Sequence, residues 1–206
     1  MLKVWGRVNS INVQKVLWVL DELKQPYQRI DAGMAFGVVN EPAYKKMNPN
    51  SRVPTIDDGG FVLWESNAIV RYLAAKHAGG SLWPADLKVR ADADRWMDWA
   101  TSTIQPLITP VFWGLIRTPA EKRDMAKINA DAEKIPPAFQ VLEQCLEGRQ
   151  YVAGASFTMG DIPIGAFVYR WSALEIKRPA MKNIEAYYKR LQERPAFKKF
   201  VMLPLS

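Results

Sequence analysis

The spacing of apolar residues in the first third of the chain changes from alternation to helical periodicity and back. Leu2–Trp5 and Tyr27–Ile30 have the composition and the alternation of short strands. Between them, apolar residues recur every three or four positions: Val13, Val16, Leu17, Leu20 and Leu23. This spacing predicts a helix with one buried face, and Pro26 then separates that helix from the second strand.

A hairpin and a further helix are predicted next. The stretch 31–50 is polar and contains glycine, so it predicts at most one short helix. Two strand-like segments, 53–57 and 61–64, flank an Asp-Gly-Gly sequence at 58–60, which is a strong hairpin signal. Helical spacing resumes over about 66–76. The predicted order of elements is therefore βαβαββα.

Beyond residue 78 the signals for strands disappear. The segment 79–87 contains two glycines and Pro84, which is typical of a linker. A long apolar stripe at helical spacing follows: Val89, Ala93, Trp96, Ala100, Ile104 and Leu107. More helices are predicted at four places: about 120–132, 137–147, 160–172 and 180–193. We expect an α/β domain over 1–78 and an all-α helical domain over 88–206.

The net charge of +7 is concentrated near the C-terminus. From residue 177 onward the chain has eight Lys and Arg residues against two Glu, which accounts for most of the excess. They are interspersed with Met181, Ile184, Tyr188 and Leu191, which recur at helical spacing. This pattern is typical of the solvated face of a terminal helix, so we expect no nucleic-acid partner. A positive field still favours anionic substrates.

Several other classes of protein are excluded by composition. No apolar run approaches the roughly 18 residues of a membrane-spanning helix, and the N-terminus lacks the apolar stretch of a secretion signal. Cys145 is the only cysteine, so no intrachain disulfide forms, and we expect a cytoplasmic protein without a membrane partner. With His77 as the only histidine, no side-chain set resembles a usual zinc site, and neither standard phosphate-binding Gly-rich loop occurs.

The first of three candidate binding motifs lies between the first strand and the first helix. Ser10 and Asn12 are small polar residues at the predicted N-terminus of that helix. Unpaired backbone N–H groups there carry a partial positive charge and favour an anion. The alternative is that Ser10 or Asn12 simply caps the helix, which is a frequent role for both residue types.

The second motif is Arg52-Val53-Pro54, at the start of a predicted strand. A cis bond before Pro54 would bend the chain sharply and leave the backbone N–H and C=O of Val53 free to pair with an extended peptide. The alternative is an ordinary proline on an edge strand, where a missing N–H costs nothing.

The third motif is Glu65-Ser66, at a junction between a strand and a helix. A serine hydroxyl with the N–H groups of a helix N-terminus suits a carboxylate, while the Glu65 carboxylate suits an ammonium group. Together they would hold the head group of an α-amino acid. The alternative is again a helix cap.

In this order and at this spacing, the motifs resemble the glutathione transferase superfamily. The second half of the chain agrees, because Thr158-Met159-Gly160-Asp161 is similar to the family's capping box, in which Thr158 and Asp161 satisfy each other's backbone N–H groups. The resemblance covers nearly the whole chain and rests on these residues: Ser10 and Val16, Asn48-Pro49, Val53-Pro54, and Glu65-Ser66-x-Ala68-Ile69. It implies a thioredoxin-like N-terminal domain that binds glutathione and a helical domain that forms much of the electrophile pocket.

The resemblance also implies how glutathione would be held. Val53 would pair through its backbone with the cysteinyl part, next to a cis Pro54. Glu65 and Ser66 would bind the γ-glutamyl end. Arg52, or a lysine such as Lys45, would meet the glycyl carboxylate.

Ser10 occupies the position where theta- and zeta-like members carry an activating serine. Its hydroxyl would donate a hydrogen bond to the glutathione sulfur, whose thiol, with a pKa of about 8.5, is mostly protonated at neutral pH. Asn12 is an alternative or auxiliary donor, because some bacterial classes place a functional asparagine there. Since a cysteine at this position would indicate redox chemistry, Ser10 disfavours glutathionylation and reductase roles.

The reaction that the resemblance implies is conjugation of glutathione, as co-substrate, to a hydrophobic electrophile by a homodimer without a metal ion. Candidates for the electrophile pocket lie on the predicted helices of the second domain: Trp99, Thr103, Phe112, Trp113 and Tyr169. The alternative for each is packing in the core. Other glutathione-dependent reactions also remain open, namely peroxide reduction, dehalogenation, isomerisation and ether cleavage, as does a non-catalytic ligand-binding role.

Overall fold

The first part of the chain has the predicted βαβαββα order. The computed structural model describes residues 1–206. The strands are β1 (Leu2–Trp5), β2 (Tyr27–Ile30), β3 (Thr55–Asp58) and β4 (Phe61–Trp64). The helices of this part are α1 (Ile11–Glu22), α2 (Pro42–Met47) and α3 (Ser66–His77). Helix α2 is the one short helix expected within the polar stretch, and the thioredoxin-like prediction is confirmed.

The four strands form a single mixed sheet in the order β2-β1-β3-β4. Strand β1 pairs in parallel with β2 and antiparallel with β3, and β3 and β4 form the predicted hairpin. Val4 lies opposite Arg29 on one side and Ile56 on the other. Val4 and Ile56 are fully buried, so the centre of the sheet contributes directly to the hydrophobic core.

The rest of the chain is helical, as predicted. Its helices are α4 (Leu87–Trp99), α5 (Gln105–Phe112), α6 (Met125–Ala132), α7 (Ile135–Cys145), α8 (Asp161–Ala173), α9 (Lys182–Gln192) and α10 (Pro195–Phe200). Residues 78–86 separate α3 from α4, and the linker expected at 79–87 overlaps α4 at Leu87. None of the helices combines the length and the apolarity that crossing a bilayer requires.

One predicted helix boundary is wrong, and one short helix was not predicted. Helix α6 begins at Met125 rather than near 120, because Asp124 caps it by accepting a hydrogen bond from the Lys127 N–H at 2.9 Å. Helix α10 was not predicted, and Pro195 lies in its first turn, where a missing N–H has no cost.

The long apolar stripe of the second part continues through its prolines. Two π-helical turns, Ala100–Ile104 and Trp113–Arg117, join α4 to α5 and extend α5. Pro106 and Pro110 lie in α5 between these turns. Because a proline lacks an N–H and crowds the preceding turn, wider π turns are a common local adjustment. Val89 was expected in the buried stripe but is exposed at the start of α4.

Helix α1 is buried on more than the one face that its periodicity predicts. Trp18 is fully buried, and its ring centroid lies 4.9 Å from that of Phe197 and 5.6 Å from that of Phe157. Both partners belong to the helical part of the chain. One continuous core therefore joins the two parts through α1, which places the N-terminus of α1 where the two parts meet.

The predicted capping box before α8 is only half reciprocal. The Asp161 carboxylate accepts hydrogen bonds from the Thr158 N–H at 2.8 Å, the Val152 N–H at 3.0 Å and the Tyr187 hydroxyl at 3.0 Å. The Thr158 hydroxyl does not accept from Asp161 in return but donates to its carboxylate at 3.2 Å. Burial raises the pKa of Asp161 to about 6, and these hydrogen bonds oppose the rise. These donors therefore favour the ionised carboxylate, against the effect of burial.

Candidate active site

Two adjoining cavities lie where the α/β part meets the helical part. The larger has a volume of about 350 Å³ and the smaller about 270 Å³. Four residues border both of them: Asn12, Arg52, Val53 and Gln105. The structure thus brings together residues of all three sequence motifs around the boundary between the two cavities.

The smaller cavity contains the second and third motifs. Val53, Pro54, Glu65 and Ser66 line it, and the bond between Val53 and Pro54 is cis as predicted. The backbone N–H and C=O of Val53 form no hydrogen bond within the chain, so both are available to an extended peptide. Arg52 borders this cavity, whereas Lys45 on α2 is exposed and lines neither cavity.

The network that holds this segment was not predicted from the sequence. The Tyr44 hydroxyl donates to the Arg52 carbonyl oxygen at 2.7 Å, and the Asn48 side-chain amide donates to the same oxygen at 2.9 Å. Tyr44 is fully buried, and its oxygen also lies 2.8 Å from the hydroxyl of Thr55. These contacts fix the backbone immediately before Val53.

Glu65 and Ser66 do not act as helix caps, which removes the alternative considered for them. Glu65 has a φ of 72° and a ψ of 111°, an uncommon backbone conformation for a residue with a side chain, and makes no capping hydrogen bond. Ser66 and Asn67 begin α3, where backbone N–H groups lack an intrahelical acceptor. A carboxylate in the smaller cavity would therefore meet unpaired donors.

The Ser10 hydroxyl likewise makes no hydrogen bond that caps α1. Ser10 has the extended backbone of an N-cap residue, with a φ of −90° and a ψ of 120°, but its side chain makes no capping hydrogen bond. The residue is 9% exposed and lines the larger cavity. Its hydroxyl is therefore available to a group bound in that cavity.

Asn12 is held in one orientation by two donors. Its side-chain oxygen accepts a hydrogen bond from the Lys15 Nζ at 3.0 Å and another from the Ser66 hydroxyl at 3.3 Å. Because a lysine ammonium has N–H donors and no acceptor, the amide oxygen faces Lys15 when that group is protonated, and the amide NH₂ faces the other way. That NH₂ group makes no hydrogen bond within the chain, and Asn12 borders both cavities.

Lys15 is the main residue of the site that the sequence did not reveal. It is 1% exposed, and its Nζ lies 5.0 Å from the centre of the Phe167 ring on α8. Burial, and secondarily the positive charge of Arg170, lowers the pKa of Lys15 to about 7. Its sequence context, a single lysine within a helix, is that of an ordinary surface residue.

The larger cavity is lined by four arginines and by no acidic residue. The arginines are Arg7, Arg52, Arg117 and Arg170, and apolar surface comes from Phe112 and Trp113 among others. Burial followed by the charge of Arg117 lowers the pKa of Arg7, and burial followed by the charges of Arg117 and Arg7 lowers the pKa of Arg170 to about 9. None of these arginines was assigned to this pocket from the sequence.

The structure brings two of the five predicted pocket residues into the larger cavity and leaves three outside it. Phe112 and Trp113 line it. Trp99 instead lines a separate cavity with Trp96 and Cys145. The other two residues outside it are Thr103 and Tyr169, the latter donating a hydrogen bond to the Leu203 carbonyl oxygen. Helical spacing predicts which residues share a face of a helix, but it does not say which cavity that face borders.

Taken together, the fold and the site define a thioredoxin-like protein with an attached helical domain. Residues 1–75 match the family model for the glutathione S-transferase N-terminal domain, and residues 107–202 match that for the glutathione S-transferase C-terminal domain. The chain is 41% identical over 208 residues to Glutathione S-transferase GstB of Escherichia coli (strain K12), with 100% of both chains covered. It is 30% identical to Glutathione S-transferase 3 of Zea mays, over 97% of this chain and 93% of that one.

The solved structures show the same relationship. The theta class glutathione S-transferase from the citrus canker pathogen Xanthomonas axonopodis pv. citri with glutathione bound matches with a TM-score of 0.95 at 45% identity, covering 100% of this chain and 99% of that chain. Its apo form matches with a TM-score of 0.86. The present chain belongs to the glutathione S-transferase family, and it is an enzyme of that family with a theta-class-like structure.

Proposed function

We propose that this protein transfers the sulfur of glutathione to an electrophile, with Asn12 and Ser10 stabilising the thiolate. Glutathione lies in the smaller cavity, with its γ-glutamyl end at Glu65 and Ser66 and its cysteinyl backbone against Val53. The glutathione-bound relative from Xanthomonas axonopodis supports glutathione as the substrate. The electrophile lies in the larger cavity, so that sulfur and acceptor meet where the two cavities adjoin.

The orientation of Asn12 is the observation that carries this proposal. Its oxygen is occupied by Lys15 and Ser66, so its NH₂ is the side-chain group left to interact with a ligand. A thiolate accepts hydrogen bonds, and a donor that is held in place before the reaction stabilises it without reorganisation. Because Asn12 borders both cavities, whereas Ser10 borders only the larger one, we assign Asn12 the larger share of this stabilisation.

The reaction follows from this arrangement. The thiol proton leaves to solvent, and the hydrogen bonds from Asn12 and Ser10 lower the thiol pKa by favouring the charged form. The thiolate attacks the electrophilic carbon, a C–S bond forms, and the leaving group departs with the electron pair of the bond that breaks. Arg52, which borders both cavities, is the candidate for the glycyl carboxylate, because a guanidinium binds a carboxylate through two parallel hydrogen bonds.

The test compares Asn12→Ala and Ser10→Ala with wild type, using glutathione and 1-chloro-2,4-dinitrobenzene. We expect kcat/KM to fall at least tenfold, about 1.4 kcal/mol, in Asn12→Ala and less in Ser10→Ala. The pKa of bound glutathione, followed by the ultraviolet absorbance of the thiolate, should rise in the same order. Asn40→Ala is the matched control, because Asn40 is exposed and lines neither cavity.

Three outcomes would contradict the proposal. If neither substitution changed turnover or the thiol pKa, the thiolate donor would lie elsewhere. If glutathione bound but no acceptor reacted faster than in free solution, the protein would be a ligand-binding member of the family. Activity confined to peroxides, to isomerisation or to ether cleavage would assign one of the alternative glutathione-dependent reactions.

We also propose that the protein acts as a homodimer, as the family resemblance implies. Phe61 and Trp64 on β4 are exposed apolar side chains, with 50% and 36% of their surface accessible, and large exposed apolar groups are typical of interfaces. Light scattering after size exclusion should give twice the mass of one chain. Phe61→Glu should shift the protein towards monomer, and a wild-type mass of one chain would contradict the proposal.

A further inference from the structure

The arginines of the larger cavity form a cationic cluster that the proposed thiol chemistry does not use. Arg7 follows β1, Arg117 ends the second π turn, and Arg170 lies in α8, so three separate elements supply them. The guanidinium carbon of Arg170 lies 4.0 Å from the centre of the Phe112 ring, and that of Arg117 lies 5.6 Å from it. All three line the larger cavity and none lines the smaller one.

No acidic side chain neutralises this cluster. The eleven ion pairs of the molecule involve none of the three arginines. Arg170 is only 8% exposed, and the Nε of Arg7 is buried without any hydrogen-bond partner. Buried cations are ordinarily paired, because an unpaired one loses its hydration without a compensating contact. Arg170 is buried, Arg7 and Arg117 are half-buried, and all three line one cavity without a carboxylate partner, which indicates that a ligand supplies the anion.

We infer that the acceptor of this enzyme carries an anionic group, a carboxylate or a sulfonate, which Arg7, Arg117 and Arg170 bind while Phe112 and Trp113 contact its apolar body. This inference rests on the proposed function. It changes the expected class of acceptor from a hydrophobic electrophile to one that is anionic and partly apolar. Planar guanidinium groups match such oxyanions through paired, charge-assisted hydrogen bonds.

The carboxylates of glutathione itself are the competing explanation for the cluster. Glutathione has two, and the smaller cavity already offers donors for both, namely the N-terminus of α3 and Arg52. The three arginines line only the larger cavity and none of them lines the smaller one, where glutathione is placed. Burial, and secondarily their mutual repulsion, also lowers the pKa values of Arg7 and Arg170, and a bound anion would offset both effects.

A matched pair of acceptors separates the effect of the acceptor's negative charge from that of its intrinsic reactivity with thiolate. 4-Chloro-3,5-dinitrobenzoate and 4-chloro-3,5-dinitrobenzamide share the same reacting carbon, the same chloride leaving group and nearly the same shape. In both, the thiolate forms a C–S bond to the ring carbon, the C–Cl bond breaks, and chloride leaves with its electron pair. Rates are divided by the uncatalysed rate with glutathione at the same pH, which removes the difference in intrinsic reactivity.

We expect the wild-type enzyme to favour the benzoate over the benzamide at least tenfold in normalised kcat/KM. In Arg117→Gln, whose side chain is less buried than that of Arg170, the preference should fall below threefold, with the KM for glutathione unchanged. Lys182→Gln removes an exposed cation outside both cavities and should keep the full preference. Equal normalised kcat/KM values of the wild-type enzyme for the two acceptors would overturn the inference. It would also be overturned if Arg117→Gln raised the KM for glutathione and left the preference for the benzoate unchanged.

Calorimetry with the two glutathione conjugates provides a readout that needs no turnover. We expect the carboxylate conjugate to bind at least tenfold more tightly than the carboxamide conjugate, and this difference to collapse in Arg117→Gln. If the carboxylate conjugate bound more tightly but the protein catalysed no conjugation, the anion site would be supported and the proposed function contradicted. If an active enzyme bound the two conjugates equally tightly, the proposed function would be supported and the anion site contradicted.

Discussion

The side-chain oxygen of Asn12 accepts a hydrogen bond from the Nζ of the buried Lys15 at 3.0 Å. The two residues lie three positions apart on α1, the spacing at which helical side chains meet. Lys15 does not itself line either cavity. Its influence on a bound thiolate therefore passes through the orientation of Asn12, which makes Lys15 a positioning residue.

Replacing Lys15 should weaken thiolate stabilisation without removing Asn12. In Lys15→Met the amide of Asn12 loses its strongest partner and can rotate, so we expect kcat/KM to fall several-fold, by about 1 kcal/mol. The pKa of bound glutathione should rise in the same variant, and a pH profile of kcat/KM measures that shift. Lys15→Gln keeps an N–H donor and should retain more activity.

Lys3→Met is the control for that experiment, since Lys3 is exposed on β1 and lines neither cavity. A merely structural role for Lys15 would change stability but leave the pH profile where it is in wild type. That result would separate Lys15 from the chemistry.

The same lysine predicts how stability depends on pH. Burial lowers the pKa of Lys15 to about 7 in the folded protein, whereas an unfolded lysine has a pKa of about 10.4. Between these values the unfolded chain holds a proton that the native state has lost, so the free energy of unfolding rises with pH. Urea denaturation at pH 7 and pH 9 should show wild type gaining roughly 2 kcal/mol relative to Lys15→Met. Parallel curves for the two proteins would place the pKa of Lys15 near its ordinary value.

Periodicity and turn chemistry were enough to predict the order of elements, because alternation and helical spacing in this chain are seldom in conflict. Helix boundaries are harder to predict, both at the Asp124 cap of α6 and around prolines. Pro195 starts α10, and Pro106 and Pro110 are accommodated by π turns within a continuous helix. A proline in a sequence predicts a break, whereas whether the backbone adjusts around it depends on packing that is not local.

The candidate site also contains residues that the sequence predicts and residues that it does not. Ser10, Glu65 and Ser66 could be found from the sequence because each lies at the start of a helix, where the chemistry is local. Arg7, Arg117 and Arg170 are far apart along the chain, and only tertiary structure brings them to one cavity. A single arginine or lysine in a helix has the same sequence signature whether it faces solvent or a ligand.

Asp161 connects three segments of the helical domain, and its loss should be among the most destabilising single changes in that domain. Its buried carboxylate accepts from the N–H groups of Val152 and Thr158 and from the Tyr187 hydroxyl. In Asp161→Ala all these donors stay buried without an acceptor, so we expect the free energy of unfolding to fall by about 3 to 5 kcal/mol. Asp124→Ala is the matched control, because Asp124 is an exposed cap of α6 whose loss should cost about 1 kcal/mol. Chemical denaturation measures both, and equal losses would mean that the Asp161 network stabilises the domain no more than a surface cap does.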